Sequence, residues 1–346
     1  MRHAIVGAGF GADAHLPAFS AVPGVQVVGL ADSGSGRAKQ RARGAVACFS
    51  HWAQMLDEAR PDTLSIAVPP LAQTEIALAA LARGIHVLCE KPVGRGVSEA
   101  QQICEAARRA SLVAAVTFQF RFEPGLQSLQ REFRDGRIGG LRRLDFSWIT
   151  AGRADSTRPW SWQHDASQGG GVLTAFMPHV ADLIAWLTHD RVAQVVARTA
   201  IVVAQRPAAQ AYREVTAEDS IDAMLQLEQG AMASVRVTNC QRGGEGMRIE
   251  MHGEKGVLVL VHRPPFVAPA IVEFSDGQRE TIAVAGSVAQ GLDSRAEPLH
   301  RLAQAFVAAV NKDAASDLPL GDDALNAHLV VAAMRESERA GRFCNV

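Results

Sequence analysis

The sequence predicts a two-domain α/β protein: a first domain built on a parallel sheet, then an α+β domain with a mostly antiparallel sheet. Three observations carry this. The chain has 346 residues, whereas a single core usually serves roughly 150. The first third alternates short apolar runs with helical patterns, the signature of βαβ units. After about residue 120 the apolar runs follow one another with turn residues between them. The expected domains are therefore 1–119 and 120–346, with the last helices packing back towards the first domain.

In order along the chain, Ala4–Val6, Val25–Leu30, Thr63–Val68, His86–Cys89 and Val113–Thr117 read as strands of the first sheet. Gln73–Arg83, stopped by Gly84, and Ser98–Arg109 read as helices between them, with Ser98 as the expected N-cap. In the second domain Leu144–Trp148 alternates apolar with polar residues, as a half-buried strand does. Val195–Val203, Ile221–Leu227, Ala231–Thr238, Met247–His252, Val257–Val261 and Ile271–Phe274 continue the series. Turn residues such as Glu228-Gln229-Gly230 and Gly253-Glu254-Lys255-Gly256 separate them. A helix over Phe176–Leu187 packs on one face of that sheet, and two more, Pro298–Asn311 and Asp322–Ala340, end the chain. The stretch Gln205–Glu214 shows no readable pattern.

Charge and composition exclude several classes. Thirty-five Lys and Arg nearly balance 36 Asp and Glu, so no overall field draws the chain to nucleic acid or an anionic membrane. No uninterrupted apolar run reaches the ~18 residues of a membrane span. The five cysteines are scattered, odd in number and never in a C-x-x-C pair. That pattern fits inert thiols in a reducing cytoplasm better than disulfides or a zinc site.

The first strand runs into Gly7-Ala8-Gly9-Phe10-Gly11-Ala12, a G-x-G-x-x-A match that opens a helix near Ala14. Gly7 permits the tight turn, Gly9 lets a pyrophosphate approach bare backbone, and Ala12 lets the helix pack closely. Helix N-terminal N–H groups then face the anion. Asp32 ends the second strand, where a carboxylate accepts from ribose hydroxyls. These residues predict a Rossmann dinucleotide site with Gly7, Gly9, Phe10, Gly11, Ala12 and Asp32 against the cofactor. Asp32 favours NAD. Arg37 and Lys39 leave NADP open, and either is also at home on a solvated helix start.

Glu90-Lys91-Pro92 follows the fourth strand at the carboxyl edge of the sheet, where open α/β sheets bind ligands. An ammonium there can hold a substrate hydroxyl and charge developing on its oxygen. The same residues also fit a surface Glu-Lys pair. His179, with Asp182 three residues on, can act as acid and base near neutral pH, or serve as a core histidine beside Pro178. Trp160 and Trp162 offer faces for sugar C–H groups, or simply pack in the core. No His, Cys, Asp and Glu cluster has metal-ligand spacing, and no nucleophile elbow supports Ser-His-Asp hydrolysis.

Together, Gly7-x-Gly9-x-x-Ala12, Gly84-Ile85-His86-Val87-Leu88-Cys89-Glu90-Lys91-Pro92 and Gly169-Gly170-Gly171-Val172-Leu173…His179…Asp182 resemble the Gfo/Idh/MocA oxidoreductase family. The resemblance runs through the chain to Ser337…Gly341-Arg342. It implies that 1–119 is a nicotinamide-binding Rossmann domain and 120–346 an open-faced sheet domain for substrate and for self-association, in homodimer or homotetramer contacts. It also implies a hydroxyl-to-carbonyl redox step on a sugar, cyclitol or sugar derivative. By the resemblance Lys91 orients substrate, His179 is the acid/base, and Arg121 lies beside nicotinamide and substrate. Pro69, Pro70 and Gln73 match the family's P-x-x-x-H loop over the cofactor.

Two positions depart from the family. Ala175 stands where members often carry the aspartate of D-x-x-x-H, and Gln73 replaces the loop histidine, so it cannot titrate. The sequence thus predicts an NAD(P)-dependent dehydrogenase or reductase acting on a sugar-like hydroxyl. A redox-neutral, glycosidase-like cycle on permanently bound NAD and a non-catalytic nucleotide-sensing regulator are the alternatives.

Overall fold

The structure, a computed structural model, describes residues 1–209, 211–263, 271–284, 296–313 and 317–346. The chain divides into two compact units. The first takes Met1–Phe122 and Asp293–His328, the second Glu123–Leu292 and Leu329–Val346. The first unit thus runs past residue 119 and takes back a later segment.

The first unit holds a six-stranded sheet in the order β3-β2-β1-β4-β5-β6. Its strands are β1 (Arg2–Val6), β2 (Gln26–Ala31), β3 (Cys48–Phe49), β4 (Thr63–Ile66), β5 (His86–Cys89) and β6 (Ala114–Val116), and every pairing is parallel. Ile5, Leu30, Leu64, Ile66, Val87 and Leu88 are fully buried, as expected when helices cover both faces of a parallel sheet. The helices are α1 (Leu16–Ser20), α2 (Arg37–Ala42), α3 (Trp52–Ala59), α4 (Pro70–Leu81) and α5 (Val97–Ala110). α4 starts at Pro70 rather than Gln73, because proline suits a first turn whose N–H groups lack partners anyway. The expected cap Ser98 sits inside α5 instead. Gly96 precedes that helix, and the Ser98 hydroxyl receives the Gln102 amide at 3.4 Å.

The second unit holds a nine-stranded sheet, β16-β15-β14-β13-β7-β12-β11-β8-β17. In chain order these are β7 (Leu141–Ile149), β8 (Val192–Ala200), β11 (Ser220–Leu227), β12 (Met232–Thr238), β13 (Gly246–Gly253), β14 (Val257–His262), β15 (Ile271–Ser275), β16 (Arg279–Ile282) and β17 (Cys344–Asn345). Only β12 and β7 pair in parallel. The unpatterned stretch forms a small hairpin, β9 (Gln205–Pro207) with β10 (Tyr212–Glu214). Along β11, Ile221, Ala223, Leu225 and Leu227 are buried while Asp222, Met224 and Gln226 are exposed. The buried face receives α6 (Pro124–Arg134), α7 (Val172–Ala175) and α8 (Met177–Thr188).

Two helices close the chain. α9 (Ala296–Val310) buries Leu302, Phe306 and Val307 against Phe19, Leu88 and Ala115 of the first unit. α10 (Gly321–Ala340) starts in the first unit and ends in the second.

One run does pass the length and composition test for a membrane span, contrary to expectation: Ala166–Thr188. Within it 78% is buried inside the protein, and Gly169–Gly171 break it into separate pieces. It reads as core.

Candidate active site

Candidate residues lie in both compact units. In the first, Gly7 has φ +117, and a Cβ there would collide with the Ala67 carbonyl, so the turn requires glycine. A Cβ on Gly11 would press on Ile5 Cγ2 at 2.9 Å, which is the close helix-on-sheet packing predicted for the end of the motif. Ala12 is buried with Ile5, Leu16 and Leu30. Gly9 differs from both: a Cβ there meets nothing within 4 Å. The loop therefore presents bare backbone to open space.

The Asp32 carboxylate accepts from Gly34 N–H at 2.8 Å, Ala38 N–H at 2.8 Å and the Ser35 hydroxyl at 3.2 Å. Partial burial pushes this carboxyl up. Hydrogen bonds from Ala38, Gly34, Ser35 and Arg37 outweigh that and hold it below the usual carboxylate range. A fixed negative charge at this place opposes a ribose 2′-phosphate. Arg37 and Lys39 stand exposed on α2.

At the carboxyl end of β5, Glu90 N–H donates to the Ile66 carbonyl at 2.9 Å and Lys91 N–H to the Thr117 hydroxyl at 3.3 Å. The Lys91–Pro92 peptide is cis. Gln73 is buried in the first turn of α4. Its amide is 1% exposed, donates to the Val68 carbonyl at 3.0 Å and accepts from Gly94 N–H at 3.0 Å. It ties the loop after β4, with Pro69 and Pro70, to the turn that follows Lys91. Arg121 is buried and paired with Asp323 of α10 at 2.8 Å, a partner distant in sequence.

In the second unit the three glycines have separate reasons. Gly169 ends a short turn at φ +80. A Cβ on Gly170 would strike the Gln163 carbonyl, and one on Gly171, at φ +100, would strike the Glu218 carboxyl. Glu218 needs that space because it caps α7: its carbonyl accepts Val172 N–H and its carboxyl accepts Leu173 N–H, both at 2.9 Å. Burial pushes this carboxyl above the usual range. His179 lies in the first turn of α8, 4% exposed, its ring 6.4 Å from that of Trp148. Asp182, one turn on, is equally buried.

The two tryptophans differ. Trp162 is 53% exposed. Trp160 is half-buried, its indole N–H donates to the Glu214 carbonyl at 3.1 Å, and the Arg213 guanidinium covers one face at 3.5 Å. Below them, buried Arg206 donates to the carbonyls of Asp155 and Arg153, and Arg153 to that of Gln163. Buried His164 accepts Ser161 N–H at 3.0 Å, and burial beside Arg206 and Arg153 pushes its ring down to about 4.

Comparison with known proteins matches both units to one family. Residues 1–118 match the model of the oxidoreductase family with an NAD-binding Rossmann fold, and residues 126–259 match the GFO/IDH/MocA C-terminal domain. The chain belongs to the Gfo/Idh/MocA oxidoreductase family. An uncharacterized oxidoreductase from Synechocystis sp. is 30% identical over 74% of this chain and 70% of its own. Levoglucosan dehydrogenase from Pseudarthrobacter phenanthrenivorans is 27% identical over 74% of this chain and 72% of its own. A solved levoglucosan dehydrogenase, in complex with NADH and levoglucosan, shares the fold with TM-score 0.88 at 24% identity, covering 100% of this chain and 99% of that one.

As a member of this family the protein is an NAD-dependent oxidoreductase, and its loop fits that cofactor. Gly9 leaves open space at the loop, where a pyrophosphate would lie against bare backbone, and Asp32 follows β2 with its carboxyl held below the usual range. The motifs do not reveal Glu218, Asp323, Thr117 or His15, each of which holds a candidate residue or its segment. Their signals are tertiary, between residues far apart in sequence.

Proposed function

We propose that the protein oxidises a secondary hydroxyl of a sugar, cyclitol or sugar derivative to a carbonyl, or runs the reverse reduction, with NAD. The observation that carries this reading is Glu90-Lys91-Pro92, held at the carboxyl end of β5 by Ile66 and Thr117 and followed by a turn tied to Gln73. Bound NAD supplies the hydride acceptor. Gly7, Gly9, Phe10, Gly11, Ala12 and Asp32 would hold it, and Arg121, fixed by Asp323, would supply a permanent cation to it.

Lys91 donates hydrogen bonds to the substrate hydroxyl and stabilises negative charge on its oxygen as the C–H bond breaks. His179 takes the hydroxyl proton, or returns it in the reductive direction. Ala175 cannot hydrogen-bond through its side chain, so in this chain the proton step rests on His179. Trp162, with its exposed ring, offers a face to substrate C–H groups. The name of the levoglucosan-oxidising relative supports a sugar-like substrate.

The proposal extends to self-association. The outer face of the nine-stranded sheet is uncovered among the described residues. It carries exposed Met224 together with the pairs Arg143–Asp145, Arg236–Asp222 and Arg248–Glu250. Matched charges and exposed apolar surface suit docking of a second copy as a homodimer or homotetramer.

Lys91→Ala tests the function. Turnover of polyols should fall at least about a hundredfold while NADH still binds. A variant that keeps wild-type turnover contradicts the assignment.

A further inference from the structure

A line of polar side chains crosses the apolar interior of the first unit. His3 of β1 lies with Nδ1 2.9 Å from Thr63 Oγ1 and Nε2 3.1 Å from Ser65 Oγ. The same Ser65 oxygen is 3.0 Å from His15 Nδ1, and His15 Nε2 is 3.0 Å from Glu90 Oε1. His3, His15, Thr63 and Ser65 are all 0% exposed. Buried polar groups are costly unless each finds a partner, and here there is one arrangement that satisfies all of them with two neutral rings.

A carboxylate only accepts, so His15 Nε2–H donates to Glu90. His15 Nδ1 then accepts the single Ser65 proton. The Ser65 oxygen, having donated, accepts His3 Nε2–H, and His3 Nδ1 accepts from the Thr63 hydroxyl. The chain has one direction and ends on Glu90, next to Lys91. Burial, with His15 adding to it, holds His3 well below the usual imidazole range, in keeping with its neutral place in the chain.

The His15 ring has a second set of neighbours. It closes the helical turn Gly11–His15 that follows the phosphate loop. Phe10 of that loop packs edge-on against it at 5.5 Å and 82°. Phe19 lies parallel to both imidazoles, 3.6 Å from His3 and 6.4 Å from His15. One ring thus touches the loop assigned to the cofactor and the carboxylate beside the lysine assigned to the substrate.

We propose that His15 is a positioning residue: it fastens Glu90 to the phosphate loop and so sets the direction of Lys91, while Thr63, His3 and Ser65 lock its ring. The role of Lys91 in turnover rests on the function proposed above; the positioning itself does not. The test must therefore not depend on turnover alone.

The chain has four lysines, so reductive 13C-methylation yields a sparse NMR spectrum in which Lys91→Arg assigns the Lys91 signal. In His15→Leu the Lys91 resonance should move. In His15→Gln, whose amide can donate to Glu90 and accept from Ser65, it should return toward the wild-type position. Ser65→Ala, a smaller change in case the leucine variant does not fold, should move it the same way by less. NADH affinity should stay within about threefold throughout, and turnover of His15→Leu should fall about tenfold or more. An unmoved Lys91 resonance in both His15→Leu and Ser65→Ala overturns the proposal, as does a glutamine variant no closer to wild type than the leucine variant. If the wild-type protein oxidises no polyol, the functional reading fails alone, and the Lys91 spectrum still decides the positioning role.

Discussion

The candidate residues of the two units are held in different ways. In the first unit the candidate groups are each tied by short, specific bonds: Asp32, just after β2, by three donors, Gln73 of α4 by two backbone groups, Arg121 by Asp323. In the second unit His179 follows a glycine hinge capped by Glu218, and the adjoining loop is carried by buried arginines bonded to backbone carbonyls. The first arrangement preserves a backbone shape that any dinucleotide requires. The second leaves loops free to differ, and substrate choice depends on such loops.

The largest expected effect falls in the second unit. His179→Ala should lower turnover by about 10²–10⁴-fold with NADH affinity unchanged, as steady-state kinetics and fluorescence titration would show. Equal loss of affinity and turnover would move His179 into the cofactor half and break the division of labour.

Glycine substitutions compare the two backbones. Gly7→Ala and Gly171→Ala each combine a positive φ with a collision, against the Ala67 carbonyl and the Glu218 carboxyl respectively. Each should cost about 1–3 kcal/mol or more in denaturant titrations. Gly7→Ala should suffer more, because a backbone carbonyl yields less than a side chain. Gly9→Ala makes the opposite prediction. With open space at that position, its melting temperature should stay at the wild-type value while NADH affinity falls about tenfold or more. A destabilised Gly9→Ala with normal affinity would contradict the assignment of the loop.

A smaller effect comes from two of the buried imidazoles, one in each unit. His164 is held at about 4 and His3 well below its usual range. Unfolding lets each ring take a proton near pH 6.5, so the unfolded state binds more protons between the two values. Stability is therefore full above pH 6.5 and falls as pH drops toward 4, by roughly 2 kcal/mol for His164 between pH 7 and pH 5. Thermal melts should show a lower midpoint at pH 5, and His164→Gln should flatten that dependence.

What was legible in the sequence follows the same contrast. The parallel strands appear as solid apolar runs, and Gly7 through Ala12 and Glu90 through Pro92 carry their meaning in consecutive residues. Several elements carry no such signal. β3 and β17 have two residues each, too few for alternation to register. α6 begins with Pro124-Gly125, and β9 and β10 pair across a stretch without apolar periodicity. Gln73 is instructive. The family resemblance places it in the loop over the cofactor, and the fold adds that both ends of its amide bond backbone groups that no local pattern reveals. His15 is the converse: it stands a few residues beyond the glycine loop, yet only the fold brings it to Glu90.

The most direct test of the central claim is a single-turnover measurement with NAD and a panel of cyclitols and anhydrosugars carrying deuterium at the carbinol carbon. The account predicts reduced nicotinamide that contains the deuterium in the wild-type protein, formed at least about a hundredfold more slowly in Lys91→Ala. Saturating NAD binding without nicotinamide reduction by any polyol of the panel would contradict it.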